Sequence, residues 1–249
     1  MVPKSVFSLS FFAQFAHHNC MKLIHSFALV LAISALSGFR SDDTYSLKHK
    51  ILKGEEVVYQ ANLNISAEGS EVEMDMKMKN KVLSLEEDGA YELEETLLSG
   101  TFKLNGDEHP MDKGEPKATK YDKDGKKIKK EGSEEDEVDP VSKVMDDVFE
   151  IEPKAAVKIG EVWKLEGEYG TMTLTLEGKE KVGEVECLKI TLKGTIDKKD
   201  ATGDVTGTFL IRADDFSPEV MEAKIENAKI DPETPPMKKI EFKLTRVKE

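Results

Sequence analysis

The chain predicts a mainly β fold, an antiparallel sheet interrupted by one short helix, and three observations carry that prediction. Val72, Met74, Met76 and Met78 alternate with Glu73, Asp75, Lys77 and Lys79, so a strand here has one apolar and one charged face. Leu188, Ile190, Leu192 and Ile196 alternate with Lys189, Thr191 and Lys193, and Ile240, Phe242 and Leu244 with Lys239, Glu241 and Lys243. Turn-forming pairs at Ser99-Gly100, Asn105-Gly106, Asp124-Gly125 and Gly203-Asp204 separate such runs at hairpin-like intervals. Most connections are too short for the crossover helix that parallel strands need, and a solvated outer face belongs to antiparallel sheet.

The first 38 residues read as an export leader. Met21-Lys22-Leu23-Ile24-His25 is a short basic start, Phe27 to Leu36 is apolar, and Ser37-Gly38 supplies small residues near a cleavage point. No acidic residue precedes Asp42. Translation is expected to start at Met21, because a leader counted from Met1 is long for its class. Neither apolar run reaches about 18 uninterrupted apolar residues, so no permanent membrane span is expected. Leu36-Ser37-Gly38-Phe39 has the form of a bacterial lipobox with Phe39 where the lipid-bearing cysteine would stand. The mature chain is therefore expected to be exported, periplasmic or extracellular, without a lipid anchor.

Residues 39–249 are expected to form a single β-rich domain. Further strand character lies at Leu47–Ile51, Val57–Ile65, Tyr91–Leu97, Thr101–Leu104, Val162–Tyr169, Met172–Leu176, Val205–Arg212 and Val220–Ile225. Gly178 and Gly183 break the run between two strands. Asp139-Pro140 suits a helix N-cap and first turn, Val141, Val144, Met145 and Val148 keep helical spacing, and Pro153 stops continuation. An acidic linker and this helix, 131–153, separate an N-terminal half reaching about residue 130 from a C-terminal half, 154–249.

The chain has 36 basic and 49 acidic residues, a net charge of −13. Without residues 1–38, which carry two lysines and no acid, 34 basic residues remain and the balance is −15. Such a surface is solvated and argues against nonspecific binding to nucleic acid or anionic lipid, both of which need a positive field. Of two cysteines, Cys20 lies in the leader and Cys187 stands alone, so no intramolecular disulfide can form in the mature domain. Cys187 is expected to be a buried, inert thiol.

The methionine stripe is the sharpest chemical signal. Met74, Met76 and Met78 lie on one side of a strand, about 7 Å apart. They suit an ordinary core, an adaptable wall for a lipid or acyl chain, or a soft-metal site. His49 and His109 are the histidines left after the leader, and neither is near the stripe in sequence, so no metal or cofactor is expected. The candidate ligand-binding residues are Met74, Met76 and Met78, with Val144 and Met145 of the helix. Asp122, Asp124, Gly125 and Glu131 fall at calcium-loop spacing, but Lys120 occupies the first ligand position, and a tight turn explains the same residues. Trp163, the one tryptophan, is expected to anchor the core. No metalloprotease, nucleophile-elbow, phosphate-loop or dinucleotide motif is present, so no catalytic residue is assigned.

Val157-Lys158-Ile159-Gly160-Glu161-Val162-Trp163 resembles a "VKVGDxW" phrase that opens a β-rich half in a family of secreted bacterial proteins. Leu47-Lys48-His49-Lys50-Ile51-Leu52-Lys53-Gly54-Glu55 is similar to their opening "KFKKGE" strand. The resemblance implies a curved antiparallel sheet or half-barrel, like those of periplasmic LolA-like lipoprotein carriers, and brings no catalytic residues. The expected function is that of an exported, non-enzymatic β protein that binds or carries an apolar ligand, such as a lipid or acyl chain, or contacts an envelope partner. The alternatives are a structural or interaction domain without a ligand site, and a carboxylate-dependent hydrolase with its acids scattered among strands.

Overall fold

The computed structural model describes residues 44–123, 125–128, 140–149, 151–153, 155–198, 201–230 and 236–248. The expected leader with its start at Met21, the acidic stretch 131–137 and the expected N-cap Asp139 lie outside the described residues. The elements in chain order are β1 (Thr44–Tyr45), β2 (Glu56–Ala67), β3 (Ser70–Leu85), β4 (Tyr91–Leu104), β5 (Asp107–Met111), β6 (Lys117–Tyr121) and α1 (Pro140–Phe149). Then come β7 (Val157–Lys158), β8 (Val162–Glu166), β9 (Gly170–Val182), β10 (Val185–Ile196), β11 (Thr202–Arg212), β12 (Pro218–Lys229) and β13 (Met237–Val247).

Eleven strands form one antiparallel sheet in the order β5-β4-β3-β2-β13-β12-β11-β10-β9-β8, with β6 on the same side of β4 as β5. It is two meanders, β2 to β6 and β8 to β13, joined where β2 pairs with β13. Among the described residues β8 has no partner beyond β9, and β5 and β6 have none beyond β4 within the sheet, so the sheet is open. A separate two-stranded ladder joins β1 to β7.

One face of the sheet is apolar from β4 to β9 and merges into a single buried cluster. Ten strands side by side span about 43 Å, whereas a ten-residue helix is about 15 Å long and 10–12 Å across. One helix cannot cover that width, so the sheet must curl about its apolar face, as a half-barrel does. Two glycines on the inward face show where neighbouring backbones come close. A Cβ at Gly194 would collide with Met172 and lie 2.5 Å from the Thr171 carbonyl, and one at Gly207 would lie 2.8 Å from the Glu222 carbonyl. Glycine at inward sheet positions permits this close approach.

Helix α1 has the expected span. Val144, Met145, Val148 and Phe149 are all buried in the main cluster, and the Phe149 ring meets Phe242 at 4.9 Å and Phe209 at 6.1 Å, edge-on. The helix therefore lies against the apolar side of β11–β13. The side chain of Val141 lies outside the described residues. A smaller second cluster gathers Val82, Leu93 and the stacked rings of Tyr91 and Tyr121.

Several local expectations are corrected. Leu47–Ile51 is not a strand: it is an irregular strap whose Leu47 and His49 are buried and whose Lys50 amide donates to the Asp215 carbonyl at 2.8 Å. Ser99-Gly100 is not a turn but the interior of the 14-residue β4, next to a register shift opposite Lys77 and Met78. Gly203-Asp204 lies inside β11, and Gly178 inside β9. In these cases β-sheet pairing overrides the local turn preference. Asn105-Gly106 and Gly183 do make turns, with positive φ at each. No helix among the described residues is long and apolar enough to cross a membrane.

Candidate functional site

The candidate site is the apolar face of the sheet, with α1 upon it. Met74, Met76 and Met78 are 2%, 0% and 3% exposed, and face Leu63, Ala61 and Tyr59 of β2 across the ladder. Glu73 and Asp75, which alternate with them, are exposed on the opposite face, and Lys77 is half-buried. Val144 and Met145 reach the same apolar cluster from α1. All five residues singled out from sequence thus share one interior, and in this state their side chains fill it. A surface of thioethers and aliphatic groups suits apolar atoms, and no group of His, Cys, Asp or Glu that could hold a metal ion lies among the described residues.

Two polar features of this interior escape sequence reasoning. The first is Glu95. It pairs with Asn80 across the ladder, between the Met78–Leu97 and Val82–Leu93 pairs, and so points to the apolar side. Burial raises its carboxyl to about 8, against the lowering influence of Lys117 and Lys127. The group is therefore largely protonated at neutral pH, and its Oε2 has no hydrogen-bond partner. The signal was present in the alternation of β4, where Tyr91, Leu93, Glu95 and Leu97 form the inward set.

The second lies at the end of the interior beyond Met78. There Tyr59 of β2 sits between Met78 of β3 and Arg246 of β13. His49 of the strap, Glu55 and the β11–β12 turn residues Asp215 and Ser217 surround them. Asp215 accepts from the Ser217 amide at 2.8 Å and its hydroxyl at 2.6 Å, and Arg246 Nη1 donates to Ser217 Oγ at 2.8 Å. These polar groups come from three stretches of chain, 49–59, 215–217 and 246, so no local motif announces them.

Elsewhere, Cys187 is buried on the outer face beneath Arg212, its cross-strand partner, and burial pushes its thiol up to about 11, as suits an inert cysteine. Trp163 is half-buried at the edge strand β8, packed against the main cluster with its Nε1 unpartnered. Around Asp122 the chain makes a turn: Lys126 N donates to Asp122 Oδ1 at 2.9 Å and Gly125 has φ of 71°.

The outer face carries an open groove of about 760 Å³ across the central strands, bordered by Asn62, Asp75, Lys103, Thr208, Glu222 and Lys243. Its charges already serve one another, with Lys243 and Glu222 2.7 Å apart and Asn62 donating to Asp75 at 2.8 Å.

No family model matches the chain, and no curated protein matches it. Among solved structures, a likeness extends to a crystal structure described as that of an outer membrane lipoprotein-sorting protein domain from Vibrio parahaemolyticus. It is 11% identical, covers 78% of this chain and 83% of that chain, and has a TM-score of 0.20. A likeness at that score carries no argument about fold or function.

Proposed function

We propose that this is an exported, non-enzymatic β protein that takes an apolar ligand, of the lipid or acyl class, against the sheet face that α1 now covers. The observation that supports the reading is the nature of that cover. A curled sheet presents its inward methionines to a single ten-residue helix, whose inward residues Val144, Met145, Val148 and Phe149 supply apolar side chains of the kind a ligand chain would replace. Such a helix is too short to persist alone and holds its place by packing. It acts as a plug that competes with ligand.

Competition gives the test a sign. An uncharged fluorescent dye such as N-phenylnaphthylamine should bind saturably. Val144→Asp, which buries a charge under the helix and loosens it, should tighten dye binding at least about tenfold. Met76→Asp, on the sheet side, should weaken it. Saturable binding by neither the wild type nor Val144→Asp would remove the reading.

A second reading rests on the outer groove, whose volume falls within the roughly 300–1,000 Å³ of small-molecule sites. It makes the protein an interaction domain with a closed core. Dye binding unaffected by Val144→Asp and Met76→Asp, but lost in Lys243→Glu, would favour it.

A further inference from the structure

Seven buried side-chain atoms among the described residues lack a hydrogen-bond partner, and four of them are crowded into one place: both ring nitrogens of His49, Oε2 of Glu55 and the hydroxyl of Tyr59. His49 and Tyr59 are each 3% exposed. Their rings and Glu55 all feel the charges of Asp215 and Arg246, which places the three orphans around that pair. Buried polar groups are almost always satisfied, so several orphans together call for a partner, whether water, an ion or a ligand.

The unused capacity is mainly that of donors. Arg212 is consumed by carboxylates: it grips Asp214 at 3.1 and 2.9 Å, and Asp215 and Glu219 at 3.4 and 3.5 Å. Arg246 makes one hydrogen bond, to Ser217, and no ion pair among the described residues. Its guanidinium has five N–H donors. The Tyr59 hydroxyl and one His49 nitrogen add two more. Burial holds His49 down at about 4, so at neutral pH the ring is uncharged and keeps one N–H. Burial, with Asp215 beside it, raises the Glu55 carboxyl above its ordinary value.

The position supplies the rest of the ligand. Tyr59 is the cross-strand neighbour of Met78, and Met76 and Met74 continue the inward line away from it. Arg246 follows Leu244 and Phe242 on the inward set of β13. One line of apolar side chains thus ends at one cluster of unsatisfied donors.

We propose that this cluster is a head-group site for the carboxylate of a single-chain amphiphile, held by Arg246, Tyr59 and His49, with its tail along Met78, Met76 and Met74. The assignment rests on the reading of the protein as a binder of apolar ligands. Arg246 is the cation of the cluster that makes no ion pair among the described residues, and a singly charged head meets less repulsion from Glu55, Asp215 and Glu219 than a doubly charged phosphate does.

Displacement of N-phenylnaphthylamine from the purified protein by dodecanoate, dodecanol and dodecyl phosphate tests it. Dodecanoate should act at a concentration at least about tenfold below dodecanol, the gain of a charge-assisted hydrogen-bonded pair in a buried setting. Tyr59→Phe and Arg246→Gln should each remove most of that preference and leave dodecanol unchanged. Tyr59→Phe deletes only a hydroxyl without a partner, so its melting temperature should hold or rise, and loss of preference then reports the ligand and not the fold. Equal displacement by dodecanoate and dodecanol, or a preference that survives both variants, means that the cluster holds water alone and overturns the proposal while leaving the carrier reading intact. Tighter displacement by dodecyl phosphate overturns the choice of carboxylate. A dye that fails to bind removes both readings together.

Discussion

At position 76 a thioether sits with 0% exposure in the middle of the apolar face, flanked on its own strand by the equally buried Met74 and Met78. Met76→Asp should cost about 3 kcal/mol, because it places a charge in an apolar interior, and the midpoint of urea unfolding will show it. Glu95 tests the opposite sign. Its folded value near 8 lies above the ordinary 4.5, so at pH 8 the native state bears the cost of keeping a proton that the unfolded chain releases. Glu95→Gln should stabilise the protein by a few kcal/mol at pH 8, on the order of 3, and much less at pH 4.5, as read from unfolding curves at the two values. The methionine stripe was legible because strict alternation over seven residues fixes a face locally. Glu95 was legible in principle and missed, because three glutamates close together on β4 read as a solvated surface until the inward set is separated from the outward one. His49, Tyr59 and Arg246 were not legible, since their meeting depends on the register between β2 and β13.

Elements were read best where the period was clean. Helix α1 came out with Val144, Met145 and Val148 inward because a proline at the first turn and apolar residues at helical spacing agree. β5 and β6 were not foreseen: their residues are mostly exposed, Pro110 interrupts one of them, and backbone bonding to β4 makes them strands. The turn pairs divided according to what lay around them. Asn105-Gly106 closes a real hairpin, but Ser99-Gly100 and Gly203-Asp204 are absorbed into long strands, where glycine serves close approach and not chain reversal. Gly194 makes that use testable. Gly194→Ala would drive a Cβ into Met172 and the Thr171 carbonyl, so β9 and β10 would have to separate. The variant should lose about 1–3 kcal/mol, as other overpacked positions do, with faster amide exchange along the β9–β10 ladder. Unchanged exchange there would show that the strands have slack.

At the scale of the whole molecule, two buried groups among the described residues, Glu95 and His49, pull stability in opposite directions as pH changes. The contribution of Glu95 is fully present below about pH 4.5 and is lost as pH rises through about 8. His49 has a folded value depressed from 6.5 to about 4, so its contribution is present above 6.5 and fades as pH falls toward 4. Between 4.5 and 6.5 the two slopes offset one another. Stability from this pair should therefore be flat across that window and fall on the alkaline side, and His49→Gln should turn the flat window into a continuous fall from about pH 4.5 upward. Melting temperatures taken every half unit of pH will show the change of slope. The β-rich class and the antiparallel sense were legible from the chain, because both follow from short-range pattern. The strand order was not, since the central pairing joins residues about 170 to 190 positions apart, from Ala67 with Met237 to Val58 with Val247.

That central seam has a consequence for how each copy comes into being. A chain delivered N-terminus first presents β2 well before its mate β13, which follows about 170 residues later. Until then the 12 residues of β2 expose an unanswered ladder of amides and carbonyls. Closure of such a distant pair is slow, so the waiting edge persists. The late β13 of a neighbouring copy fits it as well as the chain's own. Crowded, newly made molecules should therefore trade the 11-residue β13 and emerge as interlocked pairs. A chain cut before Met237 would leave two unjoined half-sheets, each with a bare flank.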